Sequence, residues 1–136
     1  MTDENLSTQE ILGQYQGMTS ECRSIMSKIG ELNLEKDEHR LVIDTMNKLS
    51  SDRRAYRLVG GILVARTVGE VLPQIAQNYE GITQILEKLN DTLKNKDTER
   101  KAYKEKHGIM TQEEKQAFLK RQERESQGGL QKLQGK

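Results

Sequence analysis

The sequence predicts a mainly α-helical protein in which two long antiparallel helices, packed as a coiled coil, are joined by a single β-hairpin. Two stretches repeat apolar residues with alternating steps of four and three, which is the pattern of a coiled-coil seam. Between them, residues 56–73 lack a helical period and hold Gly60-Gly61 between short apolar runs. One Phe, no Trp and 32% charged residues among 136 suit long helices better than a thick globular core.

The first helix is predicted over residues 7–54. Ser7 and Glu10 form a capping box, in which each side chain satisfies the other residue's backbone amide, and Leu6 with Ile11 supplies a hydrophobic staple. The seam that follows spans 36 residues, or about 54 Å at 1.5 Å per residue. Nine of its eleven positions are apolar or aromatic: Ile11, Tyr15, Met18, Cys22, Ile25, Ile29, Leu32, Lys36, His39, Ile43 and Met46.

The hairpin is predicted over residues 56–66. Gly60-Gly61 supplies the positive φ angles that a two-residue I′ or II′ turn requires. Side chains alternate between the two faces of a strand, which makes both faces of the hairpin apolar near the turn. One face holds Tyr56, Leu58, Leu63 and Ala65. The other holds Val59, Ile62 and Val64, flanked by Arg57 and Arg66. A lone two-stranded ribbon is marginal in water and has two open edges. We therefore expect this hairpin to belong to a sheet assembled from several chains.

The second helix is predicted over residues 68–107 and begins at another capping box, formed by Thr67 and Glu70. Pro73 lies too deep for a first-turn proline. Either the helix kinks there, or a short turn precedes a main helix that begins at Pro73. The second seam continues to the end of this helix and beyond: Ile75, Tyr79, Ile82, Leu86, Leu89, Leu93, Lys96, Arg100, Tyr103, His107 and Met110.

The two seams match in length, so an antiparallel fold pairs them position by position. The residue numbers of each pair sum to 121 or 122. This register places Met46 opposite Ile75 and Ile11 opposite Met110.

The carboxyl-terminal extension, residues 108–136, is polar. Gly108 is placed to end the second helix as a C′ residue. Thr111 and Glu114 can then start a short polar helix, or the segment continues as one frayed helix. Residues 126–136 are predicted to be disordered. The whole chain, 1–136, is predicted to form a single domain.

Composition and charge disfavour several classes of function. The formal net charge of +1 comes from 22 basic and 21 acidic residues, which favours binding neither to nucleic acid nor to an anionic membrane. The basic run 94–107 is interspersed with acidic residues and holds one aromatic residue, Tyr103, so a solvated helix face is favoured over a nucleic-acid patch. No apolar run has transmembrane length and no signal-peptide core is present, which predicts a soluble cytoplasmic protein.

No group of residues predicts catalysis, a cofactor or a metal site. His39 and His107 lie on the seams near opposite ends of the predicted helix pair, too far apart to share a metal ion. Cys22 is predicted to be an inert small hydrophobe. A nucleophile, a base and an orienting group do not occur together. The polar seam residues are instead predicted to determine register and partner: Lys36, His39, Lys96 and Arg100.

The order helix, hairpin, helix is also that of β-type prefoldin subunits. Residues 38–45 (EHRLVIDT) together with residues 56–73 (YRLVGGILVARTVGEVLP) resemble the eukaryotic members of this family, and residues 105–107 (EKH) match a later family motif. The similarity covers about residues 10–110. The resemblance implies a hexameric co-chaperone of two α-type and four β-type subunits, whose hairpins form β-barrels from which coiled coils project.

The same resemblance implies that the complex holds non-native polypeptides, with actin and tubulin as expected clients, and delivers them without ATP to the cytosolic chaperonin. Clients are expected at the coiled-coil end far from the hairpin, where Lys96 and Arg100 leave fewer apolar layers. The predicted client-binding residues are Ile11, Leu12, Tyr15, Met18, Tyr103, Ile109 and Met110.

The predicted partners in the complex are two α-type and three other β-type subunits. The subunit interface is expected at Tyr56, Leu58, Val59, Gly60, Gly61, Ile62, Leu63, Val64, Thr67, Val68, Val71 and Leu72. One alternative is a structural or tethering coiled coil, in which the hairpin is only a turn and the chain is a monomer or homodimer. A second is a nucleic-acid-binding rod that uses residues 94–106, which predicts steeply salt-dependent binding. An enzyme is the least favoured class.

Overall fold

The computed structural model describes residues 6–134, and their side chains as far as residue 128. Its elements are α1 (Thr8–Asn47), β1 (Arg54–Val59), β2 (Ile62–Thr67), α2 (Val68–His107) and α3 (Gln112–Gln134). Two 40-residue helices joined by one antiparallel hairpin confirm the predicted fold class. Within the described part of the chain, none of the helices combines the length and hydropathy that crossing a membrane requires.

All three predicted helix starts are capped. In each case the backbone amide of a glutamate donates to the hydroxyl three residues earlier: Glu10 to Ser7 (3.2 Å), Glu70 to Thr67 (3.3 Å) and Glu114 to Thr111 (3.2 Å). Gly108, at φ +60°, ends α2 as predicted. The amide of Ile109 donates to the carbonyl of Lys104 at 3.0 Å, which completes a Schellman motif.

Helix α1 ends at Asn47, seven residues before residue 54, so the predicted end of this helix was wrong. Residues 48–53 form turns instead, for example through a hydrogen bond from the Arg53 amide to the Ser50 carbonyl at 3.1 Å. Ser50, Ser51 and Asp52 favour turns because their short polar side chains compete for nearby backbone groups. The seam pattern could not reveal this end, since the turn follows its last position.

The turn segment 48–53 also supplies acceptors for the first amides of α2. The amide of Val68 donates to the carbonyl of Arg53 at 2.9 Å, and that of Gly69 to the carbonyl of Ser51 at 3.0 Å. These amides have no acceptor within their own helix.

Because α2 already begins at Val68, Pro73 lies inside the helix and does not start it.

Helix α3 runs on to Gln134, so the prediction of disorder from residue 126 was wrong for the described residues; residues 135–136 lie outside them. The reason lies in residues 112–127, which are mostly Glu, Lys, Gln, Arg, Ala and Leu, all strong helix formers. Gly128 and Gly129 weaken a helix by about 1 kcal/mol each relative to Ala. That cost does not end the helix begun upstream.

The chain divides into two compact units. We call Met18–Thr98 the hairpin unit, and the described parts of Met1–Gly17 and Glu99–Lys136 the terminal unit. In the hairpin unit, Leu32 of α1 packs with Ile82 and Leu86 of α2, and all three are buried. Ile29 and Leu89 pack against them. The core is therefore a line of seam residues between two helices.

Burial follows the predicted seams closely. All eleven positions of the first seam are buried or partly buried, and so are ten of the eleven in the second, Met110 being the exposed one. The heptad interpretation of both helices is confirmed.

The predicted pairing between the seams is wrong. In the hairpin unit, Lys36 Nζ lies 5.6 Å from the centre of the Tyr79 ring, and Lys96 Nζ lies 2.6 Å from a carboxylate oxygen of Glu21. The residue numbers of these pairs sum to 115 and 117, whereas the prediction required 121 or 122. The polar seam residues Lys36 and Lys96 do contact the opposite helix, as predicted.

The cause of the shift is the turn segment 48–53. Paired residues of the hairpin sum to 121, from Arg54 with Thr67 to Val59 with Ile62. Six residues separate α1 from β1, but α2 follows β2 directly. No matching residues lie between β2 and α2. The residue of α1 that faces a given residue of α2 therefore has a number about six lower than the hairpin register would give, and paired residue numbers sum to about 115 instead of 121.

The new register predicts which cysteines crosslink. In a Cys22→Ala background, a short bis-maleimide should join Lys36→Cys to Tyr79→Cys within one chain, and should join Lys36→Cys to Leu86→Cys much more slowly. Residues 79 and 86 are about 10 Å apart along the helix, which a short linker discriminates. Mass spectrometry of the crosslinked peptides measures both rates. Faster joining of residues 36 and 86 would support the register predicted from the sequence, in which paired residue numbers sum to 122. Crosslinks found only between chains would contradict the antiparallel fold.

Candidate subunit interface and client-binding surface

The hairpin has the predicted turn and strand register. Gly60 and Gly61 have φ angles of +56° and +81°, which only glycine adopts readily at two successive positions. Leu58 pairs with Leu63 across the strands, and Tyr56 pairs with Ala65. The predicted assignment of residues to the two faces is therefore confirmed.

The hairpin exposes a concentrated apolar surface. Five large side chains around the turn are between 55% and 68% exposed: Tyr56, Leu58, Val59, Ile62 and Leu63. The sheet has two strands, so both are edge strands with unpaired backbone groups. Burying one such side chain fully is worth about 1.5–3 kcal/mol. A cluster of this kind is typical of a surface that another protein covers.

Apart from the exposed Gly60 and Gly61 of the turn, the other predicted interface residues are less accessible. Val68 and Val71 are only 3% and 6% exposed, because the chain's own atoms cover them. Val64, Thr67 and Leu72 are half-buried, and Thr67 also caps α2. Val64 and Thr67 lie in β2, and Val68, Val71 and Leu72 in the first turns of α2 beside it. The sequence pattern could not separate these residues from the exposed ones.

In the terminal unit, two tyrosines join the helices through polar contacts. Arg100 donates a hydrogen bond to the Tyr15 hydroxyl at 2.8 Å, and its guanidinium lies 5.8 Å from the centre of the Tyr15 ring. The Tyr103 hydroxyl donates to the side-chain carbonyl of Gln14 at 2.9 Å. Gln14 was not predicted as a contact residue, since it lies beside the seam, and Tyr15 was predicted to pair with His107. The sums of 115 and 117 repeat the register found in the hairpin unit.

The structure brings six of the seven predicted client-binding residues into the terminal unit; Met18 is the first residue of the hairpin unit. Ile11, Tyr15, Tyr103 and Ile109 are buried or half-buried there. The exposed members are Leu12 at 43% and Met110 at 41%. Phe118 and Leu119 of α3, which were not predicted as site residues, are also exposed, at 46% and 57%.

The start of α3 is tied to α2 by an ion pair. Lys104 Nζ lies 2.5 Å from a carboxylate oxygen of Glu114. The hydrogen bond from Lys104 holds the pKa of Glu114 below its usual value, helped by the Lys104 charge and by hydrogen bonds from Thr111. A lowered pKa favours the folded state above the ordinary glutamate pKa, and this contribution is lost as pH falls through the lowered value.

The histidines and the cysteine make ordinary packing contacts. His39 Nδ1 lies 2.8 Å from the carbonyl oxygen of Glu35 in its own helix. The His107 ring lies 4.4 Å from that of Tyr103, and its Nε2 is buried without a hydrogen-bond partner. Cys22 is buried on the seam. The part of the chain that the structure describes contains no group of three or more His, Cys, Asp or Glu side chains that could hold a metal ion.

Most of the chain matches a known protein family. The model of the family described as prefoldin subunit matches residues 9–114 of the chain. The chain belongs to the prefoldin family. It is accordingly a subunit of the prefoldin co-chaperone complex, and it assembles with other prefoldin subunits.

Relatives and a solved structure agree with this assignment. Prefoldin subunit 2 from Homo sapiens is 41% identical over 114 residues, which cover 82% of this chain and 74% of that protein. Prefoldin subunit 2 from Arabidopsis thaliana is 37% identical over 124 residues, covering 90% and 84%. The crystal structure of the prefoldin beta subunit from Thermococcus strain KS-1 shares the fold, with a TM-score of 0.66, 20% identity and coverage of 72% and 86%. Most of α3 lies beyond the region that the family model matches.

The ion pair at the start of α3 can be tested by titration. Replacing Lys104 with Gln should raise the pKa of Glu114 toward its ordinary value, because the hydrogen bond and the positive charge are both removed. NMR titration of the Glu114 side-chain carboxyl measures this shift. Lys120→Gln, nearly two turns further along α3, is the matched control and should leave the titration unchanged. An unaltered Glu114 titration in Lys104→Gln would show that the ion pair does not form in solution.

Proposed function

We propose that this prefoldin subunit is a β-type subunit that docks through its hairpin into a β-barrel of a hexamer with two α-type and three other β-type subunits. The observation that carries this proposal is the hairpin itself, with five large apolar side chains exposed between two open edges. Its two strands cannot bury both faces alone, whereas strands from other subunits can cover the faces and pair with the edges. The family assignment and its subunit 2 relatives support this role.

We further propose that the assembled complex captures non-native polypeptides, actin and tubulin among them, and delivers them to the cytosolic chaperonin. This activity requires binding and release in the cytoplasm, without ATP and without catalysis by this chain. The terminal unit supplies six of the seven client-binding residues, all except Met18. Support comes from its exposed Leu12 and Met110, and from closure that relies on hydrogen bonds at Tyr15 and Tyr103, which water can replace.

A tethering coiled coil without chaperone activity is the second candidate from the sequence. In such a protein the hairpin is only a turn between the helices, and no other subunit has to cover it. The exposed apolar turn residues disfavour it, because a simple connecting turn gains nothing from five large apolar side chains in water.

Assembly through the hairpin can be tested with one charged substitution. Leu63→Asp should abolish entry into the complex, since an unpaired carboxylate at an apolar contact costs several kcal/mol. Leu34→Asp is the matched control, because Leu34 of α1 is 64% exposed against 67% for Leu63. Co-expression with the other prefoldin subunits, followed by native mass spectrometry, measures entry, and circular dichroism confirms that both variants stay helical. Normal entry of Leu63→Asp would show that the hairpin is not the assembly element.

Client capture can be tested with matched pairs of exposed apolar residues. The double variant Leu12→Gln/Met110→Gln should weaken suppression of client aggregation by the assembled complex about a hundredfold, because each of the two side chains contributes roughly 1.5 kcal/mol, or about tenfold in affinity, when a client covers it. Leu34→Gln/Leu41→Gln is the control, since both residues are exposed on α1 of the hairpin unit. Light scattering of chemically unfolded actin measures suppression. A loss in the control pair instead would move the client site to the helix walls of the hairpin unit.

A further inference from the structure

A cavity of about 400 Å³ lies between the hairpin and the first turns of α2. It opens beside the face that holds Val59 and Val64, opposite the face that carries Tyr56 and Leu58. Six residues line it: Arg57, Val59, Arg66, Glu70, Val71 and Gln74. Charged groups and apolar surface thus meet at one place on the proposed assembly element.

The charges in this cavity are unbalanced. The Arg57 guanidinium donates a hydrogen bond to Gln74, which is neutral. Within the described residues, the structure pairs neither Arg57 nor Arg66 with a carboxylate, and Glu70 is the only acidic lining residue. Both arginines are exposed in the single chain, where water solvates them. A covering subunit would remove that water. Glu70 can compensate one of the two guanidiniums, and the other then requires a carboxylate from the subunit that covers it.

The composition of the hairpin argues against a second copy of this chain as that subunit. Residues 54–67 contain three arginines, Arg54, Arg57 and Arg66, and no aspartate or glutamate. Two such hairpins brought together would place guanidiniums against each other, and like charges across an interface oppose association. A repulsive element of this kind selects against the wrong partner as effectively as a contact selects the right one.

We propose that the cavity between Arg57 and Arg66 receives an aspartate or glutamate side chain from the hairpin of a different prefoldin subunit. The same arginines exclude self-association of this chain. This inference rests on the proposed assembly through the hairpin and adds to it the chemistry by which the neighbouring subunit is selected.

The first test neutralises the cavity without adding charge. Arg57→Gln/Arg66→Gln should weaken entry into the complex, co-expressed with the other prefoldin subunits, by about tenfold. It should also reduce the salt dependence of entry, since fewer charge pairs form. The control is Arg54→Gln, on the opposite face of the hairpin, which should change entry by less than about threefold. Native mass spectrometry over a salt series measures both quantities, with circular dichroism as the check on folding.

The second test reverses the charges and seeks compensation. Arg57→Glu/Arg66→Glu should be excluded more strongly than the neutral variant, because it brings a carboxylate against a carboxylate. Replacing acidic residues of each partner hairpin by Arg, one at a time, should restore entry for one partner subunit and so identify the neighbour. Failure of every such replacement to restore entry would overturn the proposal.

The outcomes separate this inference from the proposed function. Suppose that Arg57→Gln/Arg66→Gln enters the complex with wild-type affinity and salt dependence while Leu63→Asp is excluded. The hairpin would then be the assembly element, and the selection by charge would be wrong. If Leu63→Asp also entered normally, assembly through the hairpin would be wrong and this inference would fail with it.

Discussion

The structure depends on the two hydrogen bonds that fasten the turn segment 48–53 to the start of α2. The amides of Val68 and Gly69 find their acceptors at Arg53 and Ser51, so the same bonds cap a helix and close the base of the hairpin. They hold six extra residues on one side of the hairpin only. Because of this asymmetry, paired residue numbers sum to 121 in the strands but to 115 and 117 in the observed contacts between α1 and α2.

An apolar seam alone cannot determine that register, because sliding one helix by a heptad brings similar residues back into contact. Polar side chains remove the ambiguity, since a misplaced one loses its partner. In the hairpin unit Lys96 reaches Glu21, and in the terminal unit Arg100 reaches Tyr15. The lysine and arginine interrupt the second seam, which weakens the apolar core, but their contacts agree on one alignment. The seam supplies affinity between the helices, and the interruptions supply its specificity.

Much of the fold could be predicted because its signals are local. A capping box such as Ser7 with Glu10 is a contact between residues three apart, and the Gly60-Gly61 turn determines which hairpin residues share a face. The end of α1 was missed because the heptad pattern stops before residues 48–53 and shows no break there; the turn-favouring Ser50, Ser51 and Asp52 are the local signal that could have revealed it. The register error followed from that one. Among the candidate site residues, exposure at Leu58 and burial at Val71 were indistinguishable from the sequence, because both are apolar and only the fold decides which one the chain itself covers.

The two proposed binding surfaces differ in how much free energy holds them closed. At the hairpin, five apolar side chains stay in water until another protein covers them, which favours a stable and long-lived contact. In the terminal unit, the hydroxyls of Tyr15 and Tyr103 join the helix pair through hydrogen bonds that water can replace when they break. The neutral bond from Tyr103 to Gln14 is worth about 0.5–1.5 kcal/mol, and the charged one from Arg100 to Tyr15 about 1.5–3 kcal/mol. Local opening there would expose the half-buried Ile11 and Ile109. A chaperone subunit needs this contrast, since its place in the complex must persist while its hold on a client must be reversible.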